Sequence, residues 1–235
     1  AHLKFANAER WQSFLQVDVL QLVAGSLLLM QALVVVVGTR KRFAVVSGTL
    51  AGLVVLLTPV VWSQSWIGVV PLWLASYLSS ETGSNFPFFN WGGFMFFGAS
   101  LGMVYAQRGL GRPLAQVGRV IGGLGAAVVV AGLVAFYLPY QPLGAVDPWR
   151  AGPGMFAIRL GATLVLLSGF VFANEFVKQV PPFVQALSQE SLVIYVVHVA
   201  VLYGSLWAPG LGTLLGRQGL AMTFVSHTDI VQVKA

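Results

Sequence analysis

The chain has 235 residues, of which 57% are hydrophobic and 9% charged, whereas soluble domains carry about 25% charged residues. So small a polar fraction cannot cover a globular surface, and the absence of cysteine excludes disulfides and thiolate metal sites. The net charge of +6 does not indicate nucleic-acid binding, because the basic residues lie in short loops between apolar segments. His2, His198 and His227 lack the spacing of metal ligands, so no bound metal is expected.

Six apolar stretches predict an all-α, polytopic transmembrane bundle that takes up residues 1–235 as a single domain. They lie at about 17–37, 43–62, 89–107, 119–139, 154–174 and 190–208. Each approaches the roughly 20 residues that a helix needs to cross the hydrocarbon core, and none alternates as barrel strands do. Residues 63–88 are more polar and rich in Trp and Tyr, which is typical of a segment in the membrane interface.

The two ends of the chain differ from these stretches. Residues 1–12 are polar and of mixed charge, without the pattern of a signal peptide. Residues 218–226 are apolar but too short to cross, which predicts a seventh helix that is cut short. No pair of matching broken helices, as inverted-repeat transporters have, is visible.

Lysine and arginine counts predict the orientation. The loops at 38–42 and 107–119 hold three such residues each, the 63–88 loop none and the 140–153 loop one. Because cytoplasmic loops carry an excess of Lys and Arg, we expect the two basic loops in the cytoplasm and the N-terminus outside. The chain is thus expected to be a multi-pass protein of a bacterial inner (plasma) membrane, with the lipid bilayer as its main partner.

Small-residue motifs recur at 48–52, 98–102 and 118–122, each with glycines four residues apart. Such spacing lets two helices approach closely. Packing inside this bundle is the expected role, and a homodimer contact is the alternative.

Polar side chains are few within the predicted spans, and each has two interpretations. Asp18 and Gln21 share a face at the start of the first span, where Asp18 either serves function or stabilises the helix N-terminus. Arg159 lies about two turns inside the fifth span, where it either snorkels outward, joins an internal ion pair or contacts substrate.

The third and sixth spans carry the remaining candidates. Asn90 and Trp91 follow Pro87 at the start of the third span, which suits either a structural helix entry or a substrate contact. On the sixth, Ser191, Tyr195 and His198 fall on one stripe. His198 is either a structural histidine or a functional one, and we expect it to bond a polar group on another helix.

Three blocks resemble the membrane acyltransferases related to heparan-α-glucosaminide N-acetyltransferase, a branch near the acyltransferase-3 group. Residues 18–29 (DVLQLVAGSLLL) are similar to the family's D-V-L-Q helix. Residues 86–102 (FPFFNWGGFMFFGASLG) are similar to its F-P-x-x-P-W helix, with Asn90 where the family often has Pro, and residues 191–198 (SLVIYVVH) to its S-L-x-I-Y-x-x-H helix. The blocks follow the family's order.

The resemblance implies an enzyme that passes an acetyl or other acyl group from cytoplasmic acetyl-CoA or another acyl-CoA to an extracytoplasmic sugar or glycan. It also implies that the chain corresponds to the family's C-terminal half, because no residue here matches the family's transfer histidine. The isolated chain is then expected to be inactive.

Candidate roles follow from the resemblance together with residue chemistry. They are catalysis for Asp18 and His198, CoA phosphate binding for Arg108 and Arg112, and substrate contact for Gln21, Asn90, Trp91, Arg159, Ser191 and Tyr195. For the two arginines the alternative is topology alone, and for His198 it is support of the family's other half. Two other functions stay open, a transporter or permease for a sugar, lipid or amphiphile, and a non-catalytic membrane subunit.

Overall fold

The computed structural model describes residues 15–137, 147–177, 180–205 and 208–209. Apart from one pair of two-residue strands, this part of the chain is all-α. Its helices are α1 (Val19–Val37), α2 (Arg40–Trp62), α3 (Leu72–Leu78), a 3-10 turn (Ser80–Thr82), α4 (Phe88–Arg108), α5 (Leu114–Tyr137), α6 (Pro148–Ala151), α7 (Pro153–Phe176), α8 (Pro182–Gln189) and α9 (Ser191–Tyr203). Strands β1 (Gly204–Ser205) and β2 (Ala208–Pro209) pair antiparallel.

The chain divides after Phe176 into two compact units, and each is described by itself. The single domain predicted for residues 1–235 stays a prediction. The predictions for residues 1–12 and 218–226 lie outside the described residues, as do His2 and His227.

Four helices, α1, α2, α5 and α7, are long and apolar enough to cross a membrane. They match four of the six predicted spans to within a few residues. Many of their apolar side chains are exposed, for example Leu28 at 73% and Val36 at 82%. Since apolar surface in water costs roughly 25 cal/mol per Å², these helices indicate a multi-pass membrane protein.

The other two predicted spans turn out differently. α4 has 21 residues, but Asn90 and four glycines lower its hydropathy, and it is not among the four apolar helices. The span predicted at 190–208 is wrong in length, because α9 has only 13 residues and gives way to the strand pair at Gly204. A helix of that length rises about 20 Å, which is short of the core thickness of about 30 Å.

The helices of the first unit pack as antiparallel pairs. Between α2 and α4, the Ser100 hydroxyl donates to the Ala44 carbonyl at 2.7 Å, and Gly93 packs against Val55. The start of α2 therefore lies beside the end of α4. This brings Arg40–Arg42 and Arg108 to one end of the unit, which we call the basic end, as the loop charges predicted. Which side of the membrane it faces stays a prediction.

Glycines bring α5 and α7 into backbone contact. Gly118, Gly125 and Gly132 are buried on α5, and a methyl group added at Gly161 of α7 would lie 2.6 Å from the Gly125 carbonyl oxygen. At the basic end, the Ser168 hydroxyl donates to the Gly118 carbonyl at 2.7 Å. Packing inside the bundle is thus confirmed for the 118–122 motif.

The other two motifs behave differently. At Gly48 an added methyl group would meet Ser100 at 3.0 Å, whereas nothing described lies within 4 Å of one at Gly52, so only Gly48 of this motif packs against α4. Within the described residues, nothing lies within 4 Å of such a group at Gly98 or Gly102. Internal packing predicted for the 98–102 motif is therefore wrong for this part of the chain, and the homodimer contact stays a prediction.

We expect Gly161→Ala to destabilise the protein by about 1–3 kcal/mol, the usual effect of forcing atoms into a packed contact, and to lower the melting temperature in detergent. Gly169→Ala is the matched control on the same helix, because nothing lies within 4 Å of its added methyl group. Equal melting temperatures for the two variants would show that the α5–α7 contact is not tight.

Candidate functional site

The helix α4 is broken at its entrance, at Asn90. Phe89 has φ −65° and ψ 128°, and Asn90 has φ 83° and ψ −63°. Within the described residues Asn90 is the only non-glycine residue with positive φ. This backbone region belongs to a rare and strained γ-turn, and such strain costs on the order of 1–3 kcal/mol and gathers at functional sites.

The Asn90 side chain is buried and only half satisfied. It is 1% exposed, and its Nδ2 donates to the Arg150 carbonyl at 2.7 Å. Among the described residues its Oδ1 has no hydrogen-bond partner. An unmade hydrogen bond to a buried acceptor costs about 1–3 kcal/mol, so a ligand hydroxyl or amine that reached this oxygen would be strongly favoured.

Arg159 and Trp91 lie at the same place. The Arg159 guanidinium carbon is 5.4 Å from the centroid of the Trp91 ring, a cation–π distance, and its Nη2 donates to the Trp149 carbonyl at 3.0 Å. Asn90 and Arg159 thus hold consecutive carbonyls of α6. The structure brings together Asn90, Trp91 and Arg159, three predicted substrate contacts, at a site that we call the outer site because the loop charges predict this end of the unit outside.

Aromatic rings surround this site. Trp91 lies 4.9 Å from Phe86 and 5.7 Å from Phe94 between ring centroids, and Phe94 lies 4.2 Å from Phe156. Phe156 belongs in turn to the buried cluster with Val55 and Leu160. These rings therefore join the polar groups of the outer site to the core of the first unit.

Asp18 and Gln21 form a capping box at the start of α1. The Asp18 carboxylate accepts from the Val19 N–H at 2.8 Å, and the Gln21 Oε1 accepts from the Asp18 N–H at 3.2 Å. The interpretation that Asp18 stabilises the helix N-terminus is confirmed. A catalytic role for Asp18 and a substrate contact for Gln21 stay predictions.

The predicted stripe on α9 belongs to the second unit. His198 is exposed, its Nδ1 lies 3.2 Å from the Ile194 carbonyl oxygen of its own helix, and its ring is 5.2 Å from that of Tyr195. This contact lies within α9, and the expected bond to a polar group on another helix stays a prediction. Ser191 is exposed as well, and functional roles for these three residues stay predictions.

A pocket of about 270 Å³ lies at the basic end, where α4 ends and α5 begins. Both predicted CoA ligands, Arg108 and Arg112, line it. Its full lining is Leu101, Val104, Tyr105, Arg108, Gly109, Arg112, Gln116, Val117, Val120 and Ile121. We call it the basic-end pocket.

Tyr105 and Gln116 were not predicted as site residues. Tyr105 precedes Arg108 by one turn of the same helix, so helical spacing was a signal that these two side chains share a surface. Gln116 lies on α5, whereas Arg112 lies in the loop before it, so the sequence carried no comparable signal for Gln116. Two arginines with a tyrosine and an amide form a set of hydrogen-bond donors suited to phosphate. Among the described residues no group of three His, Asp or Glu is placed to hold a metal ion.

Glu81 bridges two parts of the segment between α2 and α4, which we call the outer segment because the loop charges predict it outside. Its carboxylate accepts from the Ser65 hydroxyl at 2.6 Å and from the Trp66 N–H at 2.9 Å, and these bonds hold the pKa of Glu81 below its ordinary value. A lowered folded pKa contributes stability above the unfolded pKa, and that stability is lost as pH falls through the folded pKa. Glu81 therefore has a structural role in this segment.

In comparisons with known proteins, the chain matches no family model, no curated protein and no solved structure. The outer site and the basic-end pocket are thus identified only from the residue contacts within this chain.

We expect Asn90→Ala to destabilise the protein more than Asn90→Gly. Both variants lose the bond to Arg150, but alanine also keeps the strain of positive φ, which glycine relieves. The difference, about 1 kcal/mol, is measured by thermal unfolding in detergent. An alanine variant at least as stable as the glycine variant would show that the strained turn is absent.

Proposed function

We propose that this chain is part of an integral membrane acyltransferase that takes an acyl group from cytoplasmic acyl-CoA and transfers it to a sugar or glycan outside. The observation that carries the proposal is the convergence of Arg108 and Arg112 on one pocket. Arginine pairs with phosphate through two parallel hydrogen bonds, and coenzyme A presents several phosphate groups.

The helix α4 joins this pocket to the outer site. After the break at Asn90, the 18 residues from Trp91 to Arg108 rise about 27 Å, close to the roughly 30 Å of the hydrocarbon core, so we take α4 as a further span. Trp91 and Arg108 are separated along it by about 26 Å. In this proposal the donor binds at the basic end, and the acceptor binds at the outer site, where the buried Asn90 Oδ1 accepts from a hydroxyl or amine.

His198 is the candidate base for the transfer, with Ser191 and Tyr195 beside it on α9. For direct transfer, the thioester end of acyl-CoA has to extend along α4 from the basic-end pocket to the acceptor. The acceptor then gives its proton to the base while its oxygen or nitrogen attacks the thioester carbonyl. The carbon–sulfur bond then breaks, and the thiolate of coenzyme A takes up the proton.

A transporter is the second candidate, and the broken entrance of α4 favours it. Discontinuous helices with irregular backbone at the break are typical of substrate sites in secondary transporters. In that case the Asn90 turn would bind a solute that crosses unchanged. Purified protein in liposomes separates the two functions, because only a transporter carries a solute across the bilayer unchanged and without acetyl-CoA.

We expect Arg108→Ala and Arg112→Ala each to weaken CoA binding by about tenfold, since each removes a charge-assisted hydrogen bond. Calorimetry on the detergent-purified chain measures the dissociation constant. Arg119→Ala is the matched control, because Arg119 is also exposed near the basic end but bonds the Ala115 carbonyl and does not line the pocket. Equal affinities for all three variants would leave these arginines with topology as their only role.

A further inference from the structure

The basic-end pocket has two chemically different parts. Its polar part is formed by Tyr105, Arg108, Arg112 and Gln116, around the loop that joins α4 to α5. The rest of the wall is aliphatic and extends along both helices away from that loop, from Arg108 back to Leu101. These two residues are about 10 Å apart along α4. The pocket therefore presents positively charged and aliphatic surfaces about 10 Å apart, a distance that a short hydrocarbon chain can span.

The aliphatic part is open to the side. Val104 is 42% exposed and Val120 is 61% exposed, and α5, which carries Val120, is one of the four apolar helices. Exposed valines on a spanning helix face lipid chains. A hydrocarbon chain can thus enter the pocket from within the bilayer without crossing water.

The size of the pocket limits what fits. At about 270 Å³ it lies just below the range of about 300–1,000 Å³ that encloses a drug-sized ligand. It holds a small head group and part of one chain. A phosphate bonded directly to a lipid places its charge at Arg108 and Arg112 and its first carbons against the valines.

We propose that the basic-end pocket binds a membrane phospholipid with an exposed anionic phosphate, such as phosphatidic acid, with one acyl chain along the aliphatic wall. Basic pockets between helices at the membrane surface attract anionic head groups. This inference goes beyond the acyltransferase proposal. It adds that the lipid and acyl-CoA compete for the same two arginines, so that the anionic lipid content of the membrane regulates donor binding.

Native mass spectrometry of the full chain in detergent tests the inference. The probes are dioleoyl phosphatidic acid and, for comparison, dioleoyl phosphatidylcholine with the same chains. We expect phosphatidic acid to bind at least tenfold more tightly, and both Arg108→Ala and Arg112→Ala to remove most of this preference. Equal retention of the two lipids, or unchanged preference in the arginine variants, would overturn the inference.

A second pair of variants tests the chain-binding part. Val120→Trp places a larger side chain in the space beside the aliphatic wall. Val130→Trp is its control, because Val130 is 60% exposed on the same helix but does not line the pocket. We expect only Val120→Trp to weaken phosphatidic acid binding, by about tenfold, and neither variant to alter the binding of inorganic phosphate. Equal effects of both tryptophans, or displacement of the lipid by millimolar inorganic phosphate, would contradict a lipid site.

Competition separates this inference from the acyltransferase proposal. If phosphatidic acid and CoA displace each other, both are supported. If CoA binds through the arginines while phosphatidic acid does not, the lipid inference fails and the acyltransferase proposal stands. If the lipid binds and CoA does not, the acyltransferase proposal fails and the lipid inference stands without its regulatory part.

Discussion

Each backbone N–H and C=O group that lies in hydrocarbon must find its partner within the protein, since lipid offers none. That constraint makes the apolar stretches helices, and it leaves close packing, rather than burial from water, to hold them together. In the first unit, glycines and short hydroxyl side chains supply this packing. The contact of Gly161 with Gly125 and the bond from Ser168 to Gly118 join α5 to α7. The bond from Ser100 to Ala44 joins α2 to α4.

Antiparallel packing gives the first unit two chemically distinct ends. At one end lie the arginines of α2 and α4 and the pocket that Arg108 and Arg112 line. At the other, Asn90 and Arg159 hold α6 by consecutive carbonyls. Because α4 contributes to both ends, one helix carries the strained turn and the pocket. The packing of the bundle holds Asn90 in this strained backbone conformation. Strained residues held in this way are often found at functional sites.

The sequence was sufficient for features that depend on local pattern. Hydropathy placed α1, α2, α5 and α7, and of the two interpretations left open for Asp18, stabilisation of a helix start is confirmed. The sequence was insufficient where contacts between helices determine the backbone conformation or the lining of a pocket. For Asn90 the sequence predicted either a structural helix entry after Pro87 or a substrate contact. It did not predict the backbone turn that the bond to Arg150 stabilises and that propensity alone disfavours. The pocket combines side chains from two helices, so Arg108 was predicted as a phosphate ligand while Tyr105 was missed.

We propose that acyl-CoA binds in the basic-end pocket on the cytoplasmic side. Single cysteines report on it cleanly, because the chain has none of its own. One replaces Gln116, which lines the pocket, and one replaces Asn85, which is exposed in the outer segment. An impermeant maleimide should modify Gln116→Cys only from the cytoplasmic face and at least tenfold more slowly with CoA present. It should modify Asn85→Cys only from outside, at a rate that CoA leaves unchanged. Modification of Gln116→Cys from outside, or at the same rate with and without CoA, would contradict the account.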